Sequence, residues 1–425
     1  MPQRLFALLL CAALLISAVP PALAEDQPIE AERFVAPTLP PDAIAWDKNH
    51  PDILDEDMLY AHSAILIEAD TGEVLFEKNA DEIMFPASTT KIMTAYIALQ
   101  MSDLENDVVT VSQNAIDLVP PTYQTIPLFA GEQVPMLDLI SVMLIRSGNE
   151  AANAVAEYLA GSVESFADLM NQTAQMLGCS PNTHFANPSG VHDENHYTTA
   201  REMATITEYA LTMPYFTDVT SQTYYTQPPT NMTSEERTVT TTNRMLLSYD
   251  DEYYTYATGV KTGSLNESGY CISATATYDG YSYLVVCMGS PYIDSEGNHI
   301  DYHGEMYDAA TLFRWAFLNI ENKTLVTDGE LLGEVNLKYA WDKDRLQVLA
   351  QGNLTATLPS SLESGAITTK LDLPESVKAP IKKGDYVGTA TFYYNGAELS
   401  TVALVAAESV ERSEIVQVLQ QAEDL

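Results

Sequence analysis

The sequence predicts an α+β fold: helices packed on an antiparallel sheet, followed by a small all-β C-terminal domain. Three observations carry this expectation. A helix-like stretch from Ile92 to Leu99 is apolar nearly all round, so it must be buried at the centre of a domain. From Val260 to Gly289 strand-like segments are separated only by short turns, as in a run of consecutive antiparallel strands. After about Lys323 the helical patterns give way to short alternating segments divided by Gly, Pro, Asn and Asp.

Taken in order, residues 1–24 read as a signal peptide. Arg4 supplies the positive charge, an apolar run extends from Leu5 to Val19, and Ala22-Leu23-Ala24 gives a small-x-small cleavage pattern before Glu25. The mature chain is therefore expected to be exported. No second run of about 18 apolar residues follows, so a stop-transfer helix is not expected. Residues 25–55, rich in Pro, Asp and Glu, read as an extended lead-in. A main domain is expected over 56–322. It opens with a hairpin in which Ala64 to Glu68 and Val74 to Phe76 flank the turn Asp70-Thr71-Gly72. Pro86-Ala87-Ser88 then starts the apolar helix, which runs to about Gln100. Leu137 to about Gly178 is helical with breaks at Ser147-Gly148 and Gly161. The strands follow, with turns at Ser264–Ser268 and Asp279-Gly280, and an amphipathic helix covers roughly Gly304 to Asn319. The all-β domain is expected over 323–408, with strands near 331–339, 346–350, 366–373, 386–394 and 401–406. Residues 409–425 form a short acidic tail whose single base, Arg412, makes it a poor membrane anchor.

Composition narrows the function. The chain has 425 residues, a length that suits two or three domains, and 46% of them are hydrophobic, enough for a sizeable core. Asp and Glu number 59 against 20 Lys and Arg, a formal net charge of −39. So acidic a surface repels phosphate backbones, which argues against a nucleic-acid partner, and it repels anionic lipid headgroups as well. Of 4 cysteines, Cys11 falls in the signal segment without a small residue before it and is not read as a lipid-attachment site. The other three, Cys179, Cys271 and Cys287, are too few for a disulfide scaffold. Cys271 and Cys287 lie on consecutive expected strands: a two-residue turn sets them one register apart, a three-residue loop sets them opposite each other. Buried reduced thiols are expected.

Three short motifs bear on chemistry. Ser88-Thr89-Thr90-Lys91 sits at a helix start, where i, i+3 spacing puts hydroxyl and amine on one face. A serine is a weak nucleophile until a base takes its proton, and a lysine whose pKa is lowered by burial or by nearby cations can do so. Backbone N–H groups at the helix start suit an oxyanion. Alone, Ser-x-x-Lys arises often by chance at exposed helix starts. Ser147-Gly148-Asn149 stands at a break between helices, where a hydroxyl and an amide two residues apart can face one pocket; the plainer alternative is an ordinary N-cap. Lys261-Thr262-Gly263 falls on the expected strand Gly259–Gly263, where a cation and a hydroxyl can hold a carboxylate and Gly263 lets a substrate backbone approach; the plainer alternative is a turn with a surface lysine.

Each motif is weak alone, but the ordered set resembles the signature of the penicillin-interacting serine enzymes. The segments Pro86–Ala95, Arg146–Ala152 and Thr183–Gly190, and the hairpin Asp70–Leu75, resemble those of the D-alanyl-D-alanine carboxypeptidases among the low-molecular-mass penicillin-binding proteins. The resemblance spans about 58–320 and continues more weakly to Ala379–Asp385. It implies a β-lactamase/transpeptidase-like fold and a carboxypeptidase acting on peptidoglycan stem peptides, with β-lactams as covalent inhibitors and no cofactor or metal. It further implies that Ser88 attacks the carbonyl of the penultimate D-Ala, Lys91 is the base, and Ser147 passes the proton to the leaving amine. Asn149 would position the substrate, Lys261 and Thr262 would hold its terminal carboxylate, and the N–H groups of Ser88 and Ser264 would form the oxyanion hole. Arg244 resembles an arginine that some relatives place near that carboxylate. The family usually ends in an amphipathic membrane-anchoring helix that the acidic tail does not clearly show, so membrane attachment stays open.

Rival readings remain. A peptidoglycan endopeptidase shares all three motifs. A class A β-lactamase usually carries Asp where Gly148 stands and a water-activating Glu on a loop, and Phe185 to Val191 contains none. A zinc peptidase is suggested by the i, i+4 pairs His192/His196 and His299/His303, but flanking Pro188, Gly190, Gly297 and Gly304 place both pairs in loops, where that spacing does not bind zinc. A peptidoglycan-binding or β-lactam-sensing module is disfavoured by the intact set Ser88, Lys91 and Lys261.

Overall fold

The structure, a computed structural model, describes residues 54–415 apart from 124, 180, 295, 361, 363, 364 and 395. The signal peptide, all but the last two residues of the lead-in, and residues 416–425 of the tail lie outside the described residues. The chain divides into two compact units between Ala316 and Phe317.

The first unit is built on a five-stranded antiparallel sheet in the order Glu73–Lys78, Ser63–Glu68, Tyr281–Ser290, Gly269–Tyr278, Ala257–Leu265. The N-terminal hairpin thus docks on the strand that ends the series, so residues far apart in sequence share one sheet. Every residue of Ser63–Glu68 is buried, which explains why this segment is more apolar than a half-exposed strand. Asp279 (φ 51°) and Gly280 (φ 84°) form a two-residue hairpin turn in which both φ are positive, the conformation that Asp-Gly favours. Of the two registers open for the cysteines, this turn realises the offset one. A shift between Tyr270 and Ile272 leaves Ile272 opposite Cys287, with Cys271 in the irregularity. All three cysteines are free and buried, and burial pushes the thiols of Cys179 and Cys271 up to about 12, so they are poor nucleophiles.

The central helix, Lys91–Met101, is buried from Lys91 through Leu99. It packs among the helices Met136–Ile145, Asn149–Ala160, Val163–Met176 and Ala200–Leu211. The helix breaks have local causes. Ser147 takes a left-handed conformation (φ 66°), Gly161 ends the next helix at φ 82°, and Ser162 caps the one after by accepting from Ser165 N–H. Thr199 caps Ala200–Leu211 in the same way through Glu202 N–H. The expected last helix is found at Gly304–Asn319.

The second unit is all-β. A six-stranded sheet runs in the order Ile367–Asp372, Tyr386–Tyr394, Ala397–Ala406, Arg345–Gln351, Leu331–Lys338, Ser376–Lys378, beside the pair Ile320–Val326 and Leu354–Pro359. Arg345–Gln351 alternates exposed and buried positions, and its inward Leu346, Val348 and Ala350 join Val335, Phe392 and Leu404 in a separate core. Three strands lacked a clear expectation: 320–326, 354–359 and 376–378. In the first, Asn322 and Thr324 are exposed while Glu321 and Lys323 are half-buried, and four polar residues in a row weaken the apolar signal. Among the described residues no helix is long and apolar enough to cross a membrane.

Candidate active site

The nucleophile turn comes first. Residues Ala87–Thr90 form a 3-10 turn that passes directly into the α-helix at Lys91, and Thr89 Oγ1 steadies it by donating to Pro86 O at 2.7 Å. Ala87, Thr89 and Thr90 are buried while Ser88 is partly exposed, so the turn presents one hydroxyl outward. The expected i, i+3 geometry is realised: Lys91 Nζ lies 2.9 Å from Ser88 Oγ.

Lys91 makes two further contacts, 2.7 Å to Asn149 Oδ1 and 2.5 Å to Ser189 O. A charged ammonium has three N–H donors, and three acceptors meet them. The neutral amine has two donors and one lone pair. The amide and backbone oxygens can only accept, so in the neutral state the one proton facing that lone pair is Ser88's. The protonation state follows from surroundings. Lys91 is fully buried, and its pKa is driven well below the ordinary value, first by burial and then by the Lys261 cation, with Glu150 opposing. A lysine with its pKa lowered in this way, aimed at a partly exposed serine, has the setting that a general base for a serine nucleophile requires.

Asn149 reaches Lys91 from the first turn of helix Asn149–Ala160, immediately after the left-handed Ser147. Ser147 is 5% exposed. A Cβ on Gly148 would come within 3.1 Å of the Ile126 side chain, so a small residue suits the turn. Beside it, Glu150 Oε1 accepts from Ile126 N–H at 2.7 Å, and burial pushes this carboxyl up to about 7.

The edge strand Ala257–Leu265 brings the third motif. It runs two residues past the expected strand end at Gly263, so Ser264 is still in strand, opposite Tyr270, and exposed. The reason is packing against the nucleophile turn. A Cβ on Gly263 would sit 2.9 Å from Ser88 N and 3.0 Å from Pro86 O, so glycine lets the two backbones meet. Lys261 is a buried residue, 1% exposed, and not the surface lysine of the plainer alternative; its Nζ donates to Thr262 O at 2.7 Å, and burial pushes it down to about 7. Thr262 Oγ1 lies 2.6 Å from Thr242 Oγ1, which joins the strand to the turn bearing Arg244. Arg244 itself pairs with Glu252 at 3.5 Å and Asp301 at 3.6 Å. The structure thus gathers Ser88, Lys91 and Asn149 in direct contact, sets Gly263 on Ser88, and leaves Arg244 engaged with acids.

Two contributors were not expected at this site from the sequence. One is the Ser189 carbonyl, held by a turn in which Asn187 Oδ1 accepts from the N–H groups of Ser189 (3.2 Å), Gly190 (2.8 Å) and Val191 (3.2 Å). Gly190 (φ 80°) is required there, because a Cβ would lie 1.8 Å from Ala87 O. The other is His196, whose Nε2 contacts Thr90 Oγ1 at 2.7 Å. Neither His pair lies on a helix.

A buried lysine bonded to a partly exposed serine beside a facing strand edge is an arrangement suited to a serine hydrolase. The family profile described as D-alanyl-D-alanine carboxypeptidase matches residues 50–291, and that described as penicillin-binding protein 5, C-terminal domain, matches 321–412. The chain belongs to the D-alanyl-D-alanine carboxypeptidase family. It is 31% identical over 359 residues to D-alanyl-D-alanine carboxypeptidase DacC of Escherichia coli (strain K12), covering 83% of this chain and 84% of that one. It is 28% identical over 357 residues to D-alanyl-D-alanine carboxypeptidase DacF of Bacillus subtilis (strain 168), covering 83% and 86%. Among solved structures it is similar to penicillin binding protein 5 from Haemophilus influenzae, with TM-score 0.63 and 26% identity over 85% of this chain and 100% of that one. The Streptomyces K15 DD-transpeptidase gives TM-score 0.55 and 29% identity over 62% and 100%.

Proposed function

We propose that this protein is an exported serine D-alanyl-D-alanine carboxypeptidase that removes the terminal D-alanine of peptidoglycan stem peptides through an acyl-enzyme on Ser88. Neutral Lys91 takes the Ser88 proton as Oγ attacks the carbonyl of the penultimate residue. The oxyanion is met by the N–H groups of Ser88 and Ser264, a role supported by the close approach of the neighbouring Gly263 to Ser88 N. Ser147 carries the proton from Lys91 to the leaving D-alanine amine, and the peptide bond between the penultimate residue and that D-alanine breaks, leaving the ester on Ser88. Water then hydrolyses the ester to free Ser88 and the shortened peptide. Lys261 and Thr262 hold the terminal carboxylate, Arg244 adds positive charge beside them, and Asn149 positions the peptide. β-Lactams enter the same route as covalent inhibitors. Neither a metal nor a cofactor takes part in any step. The observation that carries this reading is the Lys91 amine, bonded to two oxygens that only accept and one hydroxyl that can donate. The signal segment 1–24 supports export.

The test is D-alanine release from a peptide ending in Lys-D-Ala-D-Ala by protein beginning at Glu25. Stoichiometric release by the wild type is expected, with Ser88→Ala reduced to background. No release by a folded wild type, with cleavage of cross-linked peptides instead, would make it an endopeptidase.

A further inference from the structure

We propose that His196 is a positioning residue: it clamps the loop carrying the Ser189 carbonyl onto the nucleophile turn and so fixes the direction of the Lys91 lone pair. The inference rests on the reading that Ser88 is the acylated nucleophile.

Both ring nitrogens of His196 are engaged. His196 is 2% exposed, in a loop, with the Phe185 ring set edge-on at 5.6 Å. Its Nδ1 lies 3.0 Å from the backbone N of Ala186. A backbone amide can only donate, so Nδ1 is bare and the ring hydrogen is on Nε2. That hydrogen is donated to Thr90 Oγ1 at 2.7 Å. One tautomer satisfies both contacts, and no nitrogen is left for a metal. Protonation would break the Ala186 bond, and burial, reinforced by His184, Lys91 and His192, pushes the imidazole down to about 3. His196 is therefore a neutral bridge and takes no part in proton transfer.

The bridge joins two segments that matter. Thr90, fully buried, stands between Ser88 and Lys91. Ala186 opens the turn whose Ser189 oxygen meets Lys91 at 2.5 Å. Thr94 Oγ1 donates to Pro188 O at 2.6 Å and Gly190 abuts Ala87, but each of these binds the loop at one point. His196 differs from these in bonding one segment through each ring nitrogen, Thr90 through Nε2 and Ala186 through Nδ1. With the Ser189 oxygen displaced, the amine can turn about its last bond and its lone pair is no longer confined to Ser88. A misplacement of about 1 Å at a reacting group can cost about 100-fold.

The experiment measures acylation of the full chain by a fluorescent penicillin, together with D-alanine release, for wild type, His196→Ala, His196→Gln, Thr90→Val and the double variant Thr90→Val/His196→Ala. Glutamine carries an acceptor and a donor on one side chain and can rebuild the bridge. Acylation should fall about 10- to 100-fold in His196→Ala and in Thr90→Val, with kcat falling and KM steady. The double variant should be no slower than the slower single, because both changes cut the same link. His196→Gln should recover to within about 10-fold of wild type, with an unchanged pH profile. Thr90→Val keeps shape and volume, so it reports on the bridge even where His196→Ala fails to fold. Wild-type acylation in folded Thr90→Val, additive losses, or a folded His196→Gln no faster than His196→Ala would overturn the inference. A wild type that penicillin does not label would overturn the nucleophile assignment itself.

Discussion

The protein buries two lysines within one site and gives them different surroundings. Lys91, on the nucleophile helix, meets three oxygens from three segments: its own turn, the start of helix Asn149–Ala160, and the 187–190 turn. Lys261, on the edge strand, donates to the carbonyl of its neighbour Thr262. Both are depressed, Lys261 by burial and Lys91 by burial with the Lys261 cation added. Burial alone therefore does not make a base. What separates the two is the partner set, since only Lys91 faces a hydroxyl able to yield a proton. Lys261 instead bonds a backbone oxygen, which only accepts, and a depressed lysine of that kind regains its proton when an anion arrives.

The sharpest way to break this comparison is Lys91→Met, which keeps the buried stem and removes the amine. A general base contributes roughly 100- to 10,000-fold, so acylation by penicillin and D-alanine release should both fall by about that amount. The circular dichroism spectrum should be unchanged. A folded Lys91→Met that is acylated at the wild-type rate would assign the base elsewhere.

Lys261→Met should be milder and of another kind. Hydrogen bonds to charged groups contribute about 1.5–3 kcal/mol, so kcat/KM for a peptide ending in a carboxylate should drop about 10- to 100-fold. Most of the loss should appear in KM. The same peptide with its C-terminus amidated should distinguish the two proteins poorly. Equal losses on the acid and the amide would remove carboxylate recognition from Lys261.

The same contrast explains what could be read in the sequence. Ser88 and Lys91 lie three residues apart on one turn, and Ser147 and Asn149 flank one helix break, so short-range geometry exposes them. The strands joined by Asp279-Gly280 were legible because that dipeptide favours positive φ at both positions. The Ser189 carbonyl was not legible, since a main-chain oxygen has no residue-type signature. His196 was noticed for its spacing from His192, but its partner Thr90 is 106 positions away. The partners of Arg244, Glu252 and Asp301, are likewise set by tertiary packing. Strand Ile320–Val326 escaped because its middle is polar on both faces, with Asn322 and Thr324 exposed and Glu321 and Lys323 half-buried.

The smallest effect is also the most discriminating, because activity and stability should move in opposite directions with pH. In the folded protein Lys261 loses its proton near 7, whereas in the unfolded chain it keeps it to about 10.5. Between these values the unfolded state binds more protons, so stability rises with pH by at most about 1.4 kcal/mol per unit from this group. Lys91, also depressed, adds in the same direction. Glu150 and Asp308 are pushed up to about 7 and act below that point. There the folded state holds their protons and the unfolded state has lost them, so stability falls as pH rises toward 7. The melting temperature should therefore pass through a minimum near pH 7, and Lys261→Met should flatten the alkaline side. With the terminal carboxylate held by charged Lys261, as proposed, kcat/KM should decline above about pH 7 while the melting temperature climbs. Bound carboxylate stabilises the ammonium, so the alkaline limb of kcat should lie at higher pH than that of kcat/KM. If kcat/KM and melting temperature rise together from pH 7 to 9, the charge on Lys261 does not hold the substrate, and the division of labour between the two lysines fails.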